Sequence, residues 1–202
     1  MKKMYLMMTL VCMIMGSCKP DGGDGRHEGH VYVDLGLSVK WATCNVGANS
    51  PEEYGDYYAW GETTTKAEYT SENCTTYGKT MNDISGNAQY DVATANWGGA
   101  WRMPTHDELN ELRNNCTWTW TTQNGVNGYK VTGPNGASIF LPAAGARDGS
   151  SLYEAESYGC YWSSAPGEDY DYLAYSLYFG SDDHYVGNFI RYNGLSVRPV
   201  IE

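Results

Sequence analysis

The sequence predicts an α+β domain in which two helices accompany many short, mostly antiparallel strands and long loops. Three observations support this prediction: short runs of alternating apolar and polar residues from His30 onward, turn-forming Gly, Pro and Asn between those runs, and only two segments with helical signals. A chain of 202 residues that is rich in Trp and Tyr can form one domain with an aromatic core. We expect that domain to span residues 31–202.

The N-terminus has the pattern of an export signal. Lys2 and Lys3 precede an apolar run at residues 4–15, which is too short to cross a bilayer as a helix. The small residues before Cys18 are similar to a bacterial lipobox. Residues 1–17 are therefore predicted to be a lipoprotein signal peptide and Cys18 the lipidation site, with cleavage by ordinary signal peptidase as the alternative.

A polar segment follows, and residues 18–30 are predicted to be a flexible tether because they are rich in Gly and Asp. Acidic residues soon after a lipidated cysteine resemble the signal that sends lipoproteins of Bacteroidetes to the cell exterior. We therefore expect the protein to be anchored by lipid to the outer membrane and to face outward. His27 and His30 have the spacing of metal ligands, but solvated histidines are the more common outcome in such a segment, so no metal is predicted.

The alternating runs that predict strands lie, in chain order, at residues 31–35, 38–42, 118–122, 129–132, 137–141, 161–164, 174–179 and 196–200. Gly-Pro-Asn-Gly at residues 133–136 predicts a hairpin turn, because Pro fixes φ while Asn and Gly accept positive φ. A helix is predicted from Thr105, which forms a capping box with Glu108, to near Asn115. A second, shorter helix is predicted at residues 91–96, with Asp91 as its N-cap.

The formal net charge of −11 would repel phosphate backbones, so no nucleic-acid partner is expected. An exported chain can oxidise its cysteines, and four remain beyond the anchor. Cys116 continues the apolar face of the predicted helix, and Cys44 follows a predicted strand. A disulfide between Cys44 and Cys116 is therefore possible, and two buried free thiols are the alternative.

Residues 158–193 have the composition of a recognition surface. Eight of the 18 tyrosines lie in this segment together with many Asp, Ser, Gly and Asn residues, while Lys and Gln do not occur in it. Tyr offers a large amphipathic contact at a low cost in side-chain entropy, and Ser, Gly and Asn offer adaptable hydrogen bonds. An ordinary tyrosine-rich β-surface is the alternative.

Four motifs in order resemble the Fibrobacter succinogenes major paralogous domain: VDLGLSVKWA at residues 33–42, GDYYAWGE at 55–62, WRMPT at 101–105 and GLSVRPV at 194–200. The resemblance covers nearly all of residues 31–201. It implies a C-type-lectin-like fold, which the formylglycine-generating enzyme shares. Fold alone does not define function.

The segment from Tyr161 to Val200 also resembles the variable region of proteins that are diversified by diversity-generating retroelements. In those systems adenines are mutated selectively, so an Asn codon can become Tyr, Asp, His, Ser, Gly, Cys, Phe, Ile, Leu or Val. On this basis the resemblance implies ligand-binding positions at Tyr170, Asp171, Tyr172, Ser176, Tyr178, Gly180, Asp182, Asp183, His184, Tyr185, Gly187, Asn188, Phe189, Ile190, Tyr192 and Asn193.

Strand alternation gives these positions a physical basis. Trp162, Leu177, Val197 and Pro199 are expected to face the core while their neighbours face solvent, so the outer set can vary without unfolding the domain. Residues 187–190 have no alternation, and we expect them at the centre of the site. Alternatively, Phe189 and Ile190 complete the core.

No enzymatic activity and no cofactor are predicted. Asp182, Asp183 and His184 have no nucleophile at a suitable spacing, and no paired cysteine motif surrounds Cys160 that would bind copper. The Glu-Pro-Asn type loop of calcium-dependent lectins is not present in the sequence. The sequence therefore favours a receptor or adhesin for an unknown protein or glycan ligand at a cell or phage surface, with a structural envelope component such as a pilus tip subunit as the alternative.

Overall fold

The computed structural model describes residues 25–202, which form two helices and twelve strands. The helices are α1 (Val92–Trp97) and α2 (His106–Asn115). The strands are β1 (Gly25–His27), β2 (His30–Val33), β3 (Lys40–Ala42), β4 (Thr117–Gln123), β5 (Val126–Thr132), β6 (Ser138–Pro142), β7 (Ala146–Asp148), β8 (Ser151–Tyr153), β9 (Gly159–Pro166), β10 (Leu173–Phe179), β11 (His184–Ile190) and β12 (Val200–Ile201). All strand pairs in the sheets are antiparallel, so the α+β class is confirmed.

The first sheet brings the two ends of the described chain together in the order β1-β2-β3-β12. Residues 25–30, predicted as the end of a tether, instead form β1 and the turn into β2. The cause is a contact distant in sequence: the His30 ring stacks on Trp97 at 3.6 Å, and the Trp101 indole donates to the His27 carbonyl at 3.0 Å. The predicted signal peptide, Cys18 and the first part of the tether lie outside the described residues.

Both helices begin where the sequence predicts. The buried Asp91 carboxylate accepts from the Ala93 and Thr94 amides at the start of α1. In α2 the Thr105 hydroxyl accepts from the Glu108 amide while the Glu108 carboxylate accepts from the Thr105 amide. The predicted capping box is thus confirmed, and it fixes the direction in which α2 leaves its loop.

The second sheet, β4-β5-β6, is built from two hairpins. The predicted turn at residues 133–136 joins β5 to β6, and Gly136 adopts a φ of 88° that favours glycine. The turn between β4 and β5 uses Asn124 and Gly125, both with positive φ, which matches the twist of a two-residue hairpin.

Four fully buried tryptophans, Trp41, Trp60, Trp101 and Trp162, confirm an aromatic core. The largest cluster packs β3, α2 and the second sheet against β9 and β10, with Leu177 and Phe179 at its centre. A second cluster surrounds Trp60 and Trp162 and extends toward β11.

The third sheet has the order β11-β10-β9, and a separate two-stranded ribbon pairs β7 with β8. Three of these strands, β7, β8 and β11, have no alternating pattern in the sequence, because they lie at edges where few side chains enter the core. The strand predicted at residues 196–200 is mostly irregular, and only its end belongs to β12.

The predicted disulfide is wrong, because Cys44, Cys74, Cys116 and Cys160 are all free thiols. Cys44 lies after β3 beside a groove that is lined by Arg26 and Pro51. Cys116 ends α2 and packs against the largest core cluster, where burial raises the pKa of its thiol to about 11. The alternative of free thiols is the one that the structure has, although Cys44 and Cys116 are half-buried and not buried.

Candidate tyrosine-rich binding site

The five exposed large hydrophobic side chains among residues 25–202 belong to three neighbouring segments. Leu152 and Tyr153 lie on β8, Tyr170 and Tyr172 precede β10, and Tyr185 lies on β11, with exposed fractions from 37% to 54%. Exposed apolar area that is gathered in this way marks an interaction site more often than single scattered residues do.

The third sheet has two faces that differ in what covers them. The front face carries Cys160 and Trp162 from β9, Ser176 and Tyr178 from β10, and Tyr185, Gly187 and Phe189 from β11. Cross-strand partners confirm this grouping, since Tyr178 pairs with both Tyr185 and Cys160. The back face carries Leu177, Phe179, His184 and Val186, and helix α2 and Trp118 cover it.

A cavity of about 420 Å³ lies between the front face and the β7-β8 ribbon, and we call it the tyrosine cavity. Five of the sixteen predicted site residues line it: Tyr178, Asn188, Phe189, Ile190 and Asn193. The rest of the lining is not among the sixteen positions. Tyr158, Cys160 and Leu173 lie within the predicted segment 158–193, whereas Gly145, Ala146, Asp148, Tyr153 and Glu154 lie outside it. The ribbon was missed because its three-residue strands are exposed and leave no periodic pattern.

Backbone hydrogen bonds fix the ribbon against the sheet. The Gly145 amide donates to the Tyr158 carbonyl at 2.7 Å, and Arg147 exchanges two backbone hydrogen bonds with Gly194. Gly145 has a φ of 66°, and a Cβ there would lie 2.1 Å from the Tyr153 carbonyl oxygen. Glycine is therefore required where the chain turns into the ribbon.

One side of the cavity is formed by stacked tyrosines. The Tyr178 ring lies 5.2 Å from Tyr158 and 5.1 Å from Tyr185. Burial raises the pKa of the Tyr178 hydroxyl above its ordinary value, so this hydroxyl stays protonated and can donate a hydrogen bond.

A second group of rings, which we call the outer tyrosine cluster, consists of Tyr77, Tyr170, Tyr172 and Tyr192. Neighbouring rings in the order Tyr170, Tyr172, Tyr77 and Tyr192 are 5.1, 6.0 and 5.6 Å apart. The cluster adjoins the tyrosine cavity, because Leu173 and Asn193 in the cavity lining directly follow Tyr172 and Tyr192. Tyr77 was not predicted, since it lies far away in sequence.

Asp171 belongs to the same region as the outer tyrosine cluster. Its carboxylate accepts from the Thr80 hydroxyl at 3.0 Å, which ties the loop before β10 to the loop that carries Tyr77. Most of the Asp171 side chain remains exposed.

Three predicted site residues are buried and shape the surface without presenting a side chain to solvent. Ser176 lies opposite Gly187, and its hydroxyl donates to the Gly187 carbonyl at 3.4 Å. Gly180 packs against Tyr158, where a Cβ would be only 2.8 Å from the ring. The Asn193 amide donates to the Arg147 carbonyl at 3.2 Å.

The structure places His184, Asp182 and Asp183 away from the tyrosine cavity. The His184 ring stacks on Trp118 at 4.5 Å, and the His184 carbonyl accepts from the Arg113 guanidinium at 3.0 Å. Burial and the charge of Arg113 lower the pKa of His184. Asp182 and Asp183 lie in the turn between β10 and β11, at the opposite end of that hairpin from Ile190.

Arg191 supports the site and was missed by sequence reasoning. It is fully buried, and its guanidinium donates to the carbonyls of Leu173, Thr76 and Lys79 at 2.7–3.1 Å. The guanidinium also lies 4.4 Å from the centre of the Trp60 ring. It thereby joins β11, β10 and the loop of Tyr77 beneath the outer tyrosine cluster.

The thiol in the cavity lining is a poor nucleophile. Cys160 is buried on the front face, and burial followed by the charge of Glu154 raises the pKa of its thiol to about 12. Nucleophilic cysteines need the opposite shift, toward the thiolate. The protonated Cys160 thiol is thus suited to lining a binding cavity and not to nucleophilic attack.

Within residues 25–202 no group of three or more His, Cys, Asp and Glu side chains is placed to hold a metal ion. In the same range no helix combines the length and apolar character needed to cross a membrane. Comparison of the chain with protein-family models, with curated proteins and with solved structures gives no match.

Proposed function

We propose that this protein is a lipid-anchored receptor or adhesin that binds a protein or glycan ligand without catalysis. The binding surface consists of the tyrosine cavity, the outer tyrosine cluster, and the exposed Tyr153 and Tyr185. Leu152 does not belong to it, because Leu152 pairs with Arg147 on the opposite face of the β7-β8 ribbon. The observation that carries the proposal is that four of the five exposed large hydrophobic side chains among residues 25–202, namely Tyr153, Tyr170, Tyr172 and Tyr185, belong to this surface.

The dimensions of the surface support ligand binding. A cavity of about 420 Å³ lies within the range of small-ligand sites, so it can accept a single side chain or sugar as an anchor. The flanking tyrosines offer contact area at a low entropic cost, and stacking with neighbouring rings already restricts several of them. A rigid aromatic surface around one pocket is the usual arrangement of a binding hot spot.

We further propose a C-type-lectin-like fold with a variable region at residues 158–193. Trp162, Leu177, Val197 and Pro199 are buried as expected, but neighbours such as Tyr161, Ser163 and Ser196 are buried too. The proposed variability is therefore supported at the exposed positions, which include Tyr170, Tyr172 and Tyr185. Substitution at the outward positions would change the ligand contacts and leave the core packing intact.

Binding can be tested with labelled protein on a panel of intact bacterial, phage and host-cell surfaces. The double variant Tyr170→Ser/Tyr185→Ser removes two exposed rings, one from each side of the surface, and should abolish surface binding. Gln89→Ala, an exposed change beside a different groove, is the control and should bind normally. Equal binding by the double variant and the unaltered protein would contradict the assigned site.

Diversification can be tested by sequencing the DNA that encodes residues 158–193 in sister isolates, together with the flanking few kilobases. We expect substitutions at adenine positions in the codons for predicted site residues such as Tyr172 and Phe189, and a nearby reverse-transcriptase gene. An invariant segment beside pilus genes would instead support a structural component of the envelope.

A further inference from the structure

We infer that the tyrosine cavity binds the cationic end of an arginine or lysine side chain on a protein partner. The inference rests on the proposed function and names the chemistry of its central pocket. It is carried by the combination of aromatic rings and carboxylates in the cavity lining, with no basic residue among them.

The charged side chains in the cavity lining are all acidic. Asp148 and Glu154 line it, and its lining as the structure describes it includes no Lys, Arg or His. Two basic residues adjoin the lining and direct their charge elsewhere. The Arg147 guanidinium lies 5.0 Å from the centre of the Tyr57 ring, beside a different groove, and the buried Arg191 guanidinium donates to the carbonyls of Leu173, Thr76 and Lys79. A cation that enters the cavity therefore meets attraction from two carboxylates without a competing internal ion pair.

The aromatic lining adds a second attraction for the same charge. Tyr153, Tyr158 and Tyr178 contribute rings to the cavity, and a cation over the face of a tyrosine is attracted by the ring quadrupole. Because an arginine guanidinium is planar and weakly hydrated, it can stack on such rings while it donates to a carboxylate.

The apolar part of the lining suits the aliphatic part of the same side chain. Phe189 on the front face supplies apolar surface that can cover the methylene groups of arginine or lysine. An acidic ligand would meet repulsion from Asp148 and Glu154, and a purely apolar ligand would leave both carboxylates without a partner. The cavity thus favours a long side chain with a positive end.

The binding test uses full-length protein labelled with ¹⁵N and two probes of nearly identical shape. N-acetyl-arginine methylamide carries the charge, whereas N-acetyl-citrulline methylamide replaces the guanidinium with a neutral urea. We expect the arginine probe to shift the backbone amide signals of residues that line the cavity, with an affinity roughly five-fold or more above that of the citrulline probe. High salt should reduce this difference.

Two charge-matched variants locate the interaction. Asp148→Asn/Glu154→Gln removes both carboxylates of the cavity and should weaken arginine binding roughly five-fold while citrulline binding stays the same. Asp107→Asn/Asp83→Asn removes the same charge from exposed positions elsewhere and should leave both affinities unchanged. The amide spectrum of each variant without probe shows whether the fold is retained.

Equal affinities for the two probes, or no signal shift at the cavity, would overturn the inference. If that result occurs while Tyr170→Ser/Tyr185→Ser still abolishes surface binding, the proposed function stands and only the cationic ligand is rejected. If the arginine probe binds but the double tyrosine variant retains surface binding, the cation site stands and the surface assigned to the proposed function is rejected.

Discussion

The two faces of the third sheet have different roles: the back face packs into the core, and the front face borders the tyrosine cavity. The back face packs Leu177 and Phe179 into the largest core cluster and stacks His184 on Trp118. The front face leaves Tyr185 exposed and opens onto the tyrosine cavity. Because successive side chains of a strand point to opposite faces, one hairpin can hold the core and present a binding surface at the same time.

The largest expected effect is a change on the back face. Phe179→Ala should lower the free energy of unfolding by roughly 3–5 kcal/mol, because it leaves a cavity among Tyr129, Tyr161 and Trp118. Tyr185→Ala on the front face should cost less than about 1 kcal/mol. Urea denaturation of both variants measures the difference, and similar losses would mean that the two faces are not functionally separate.

The next effect concerns the support beneath the outer tyrosine cluster. Arg191→Met should cost roughly 2–4 kcal/mol, because three buried carbonyls lose their donor. Arg26→Met removes an exposed guanidinium and is the matched control. The denaturation midpoints of the two variants are compared. A loss of stability in Arg191→Met no larger than in Arg26→Met would show that Arg191 does not hold the loops together.

A smaller effect tests the helix that covers the back face. Thr105→Ala removes the side-chain half of the capping box and should cost about 1 kcal/mol, whereas Thr105→Ser should retain most of the stability. Surface binding should be unchanged in both variants, because α2 packs on the back face. If the Thr105→Ala variant is fully folded and yet no longer binds the surface, the front face depends on α2.

The smallest effect is a pH dependence from the two stacked histidines. The pKa values of His30 and His184 are lowered mainly by burial, so the unfolded chain binds more protons than the folded chain below the ordinary value of 6.5. The two neutral histidines contribute fully to the free energy of unfolding above pH 6.5. This stability is lost as the pH falls from 6.5 toward their lowered pKa values. Thermal melts at several pH values should show a weaker slope in His30→Phe/His184→Phe, and an unchanged slope would assign the effect to other groups.

Local signals in the sequence located much of the scaffold. The capping box at Thr105, the N-cap at Asp91 and the turn at residues 133–136 all depend on residues within a few positions of one another, and all three are confirmed. Trp162 and Leu177 are buried as alternation predicts, but the expectation that their neighbours face solvent is wrong, because Tyr161, Ser163 and Ser176 are buried as well. Such features are readable because the residues that specify them are close together in the chain.

The site was only partly readable. Composition pointed to residues 158–193, but it did not separate Tyr185 on the front face from His184 on the back face, since β11 has no clear alternation. The β7-β8 ribbon with Asp148, Tyr153 and Glu154 lies outside that segment and forms the other wall of the cavity. Tyr77 and Arg191 joined the site through contacts over long separations in sequence.

The sequence by itself determined the α+β class, the helix starts, the hairpin turn and the tyrosine-rich segment, because each depends on local preference and periodicity. Only the tertiary structure decided which face of each strand meets solvent, that Cys44 and Cys116 are free thiols, and that a ribbon and a distant loop complete the binding surface. The physical reason is that burial is a property of the assembled core, in which partners are selected by packing across the whole chain.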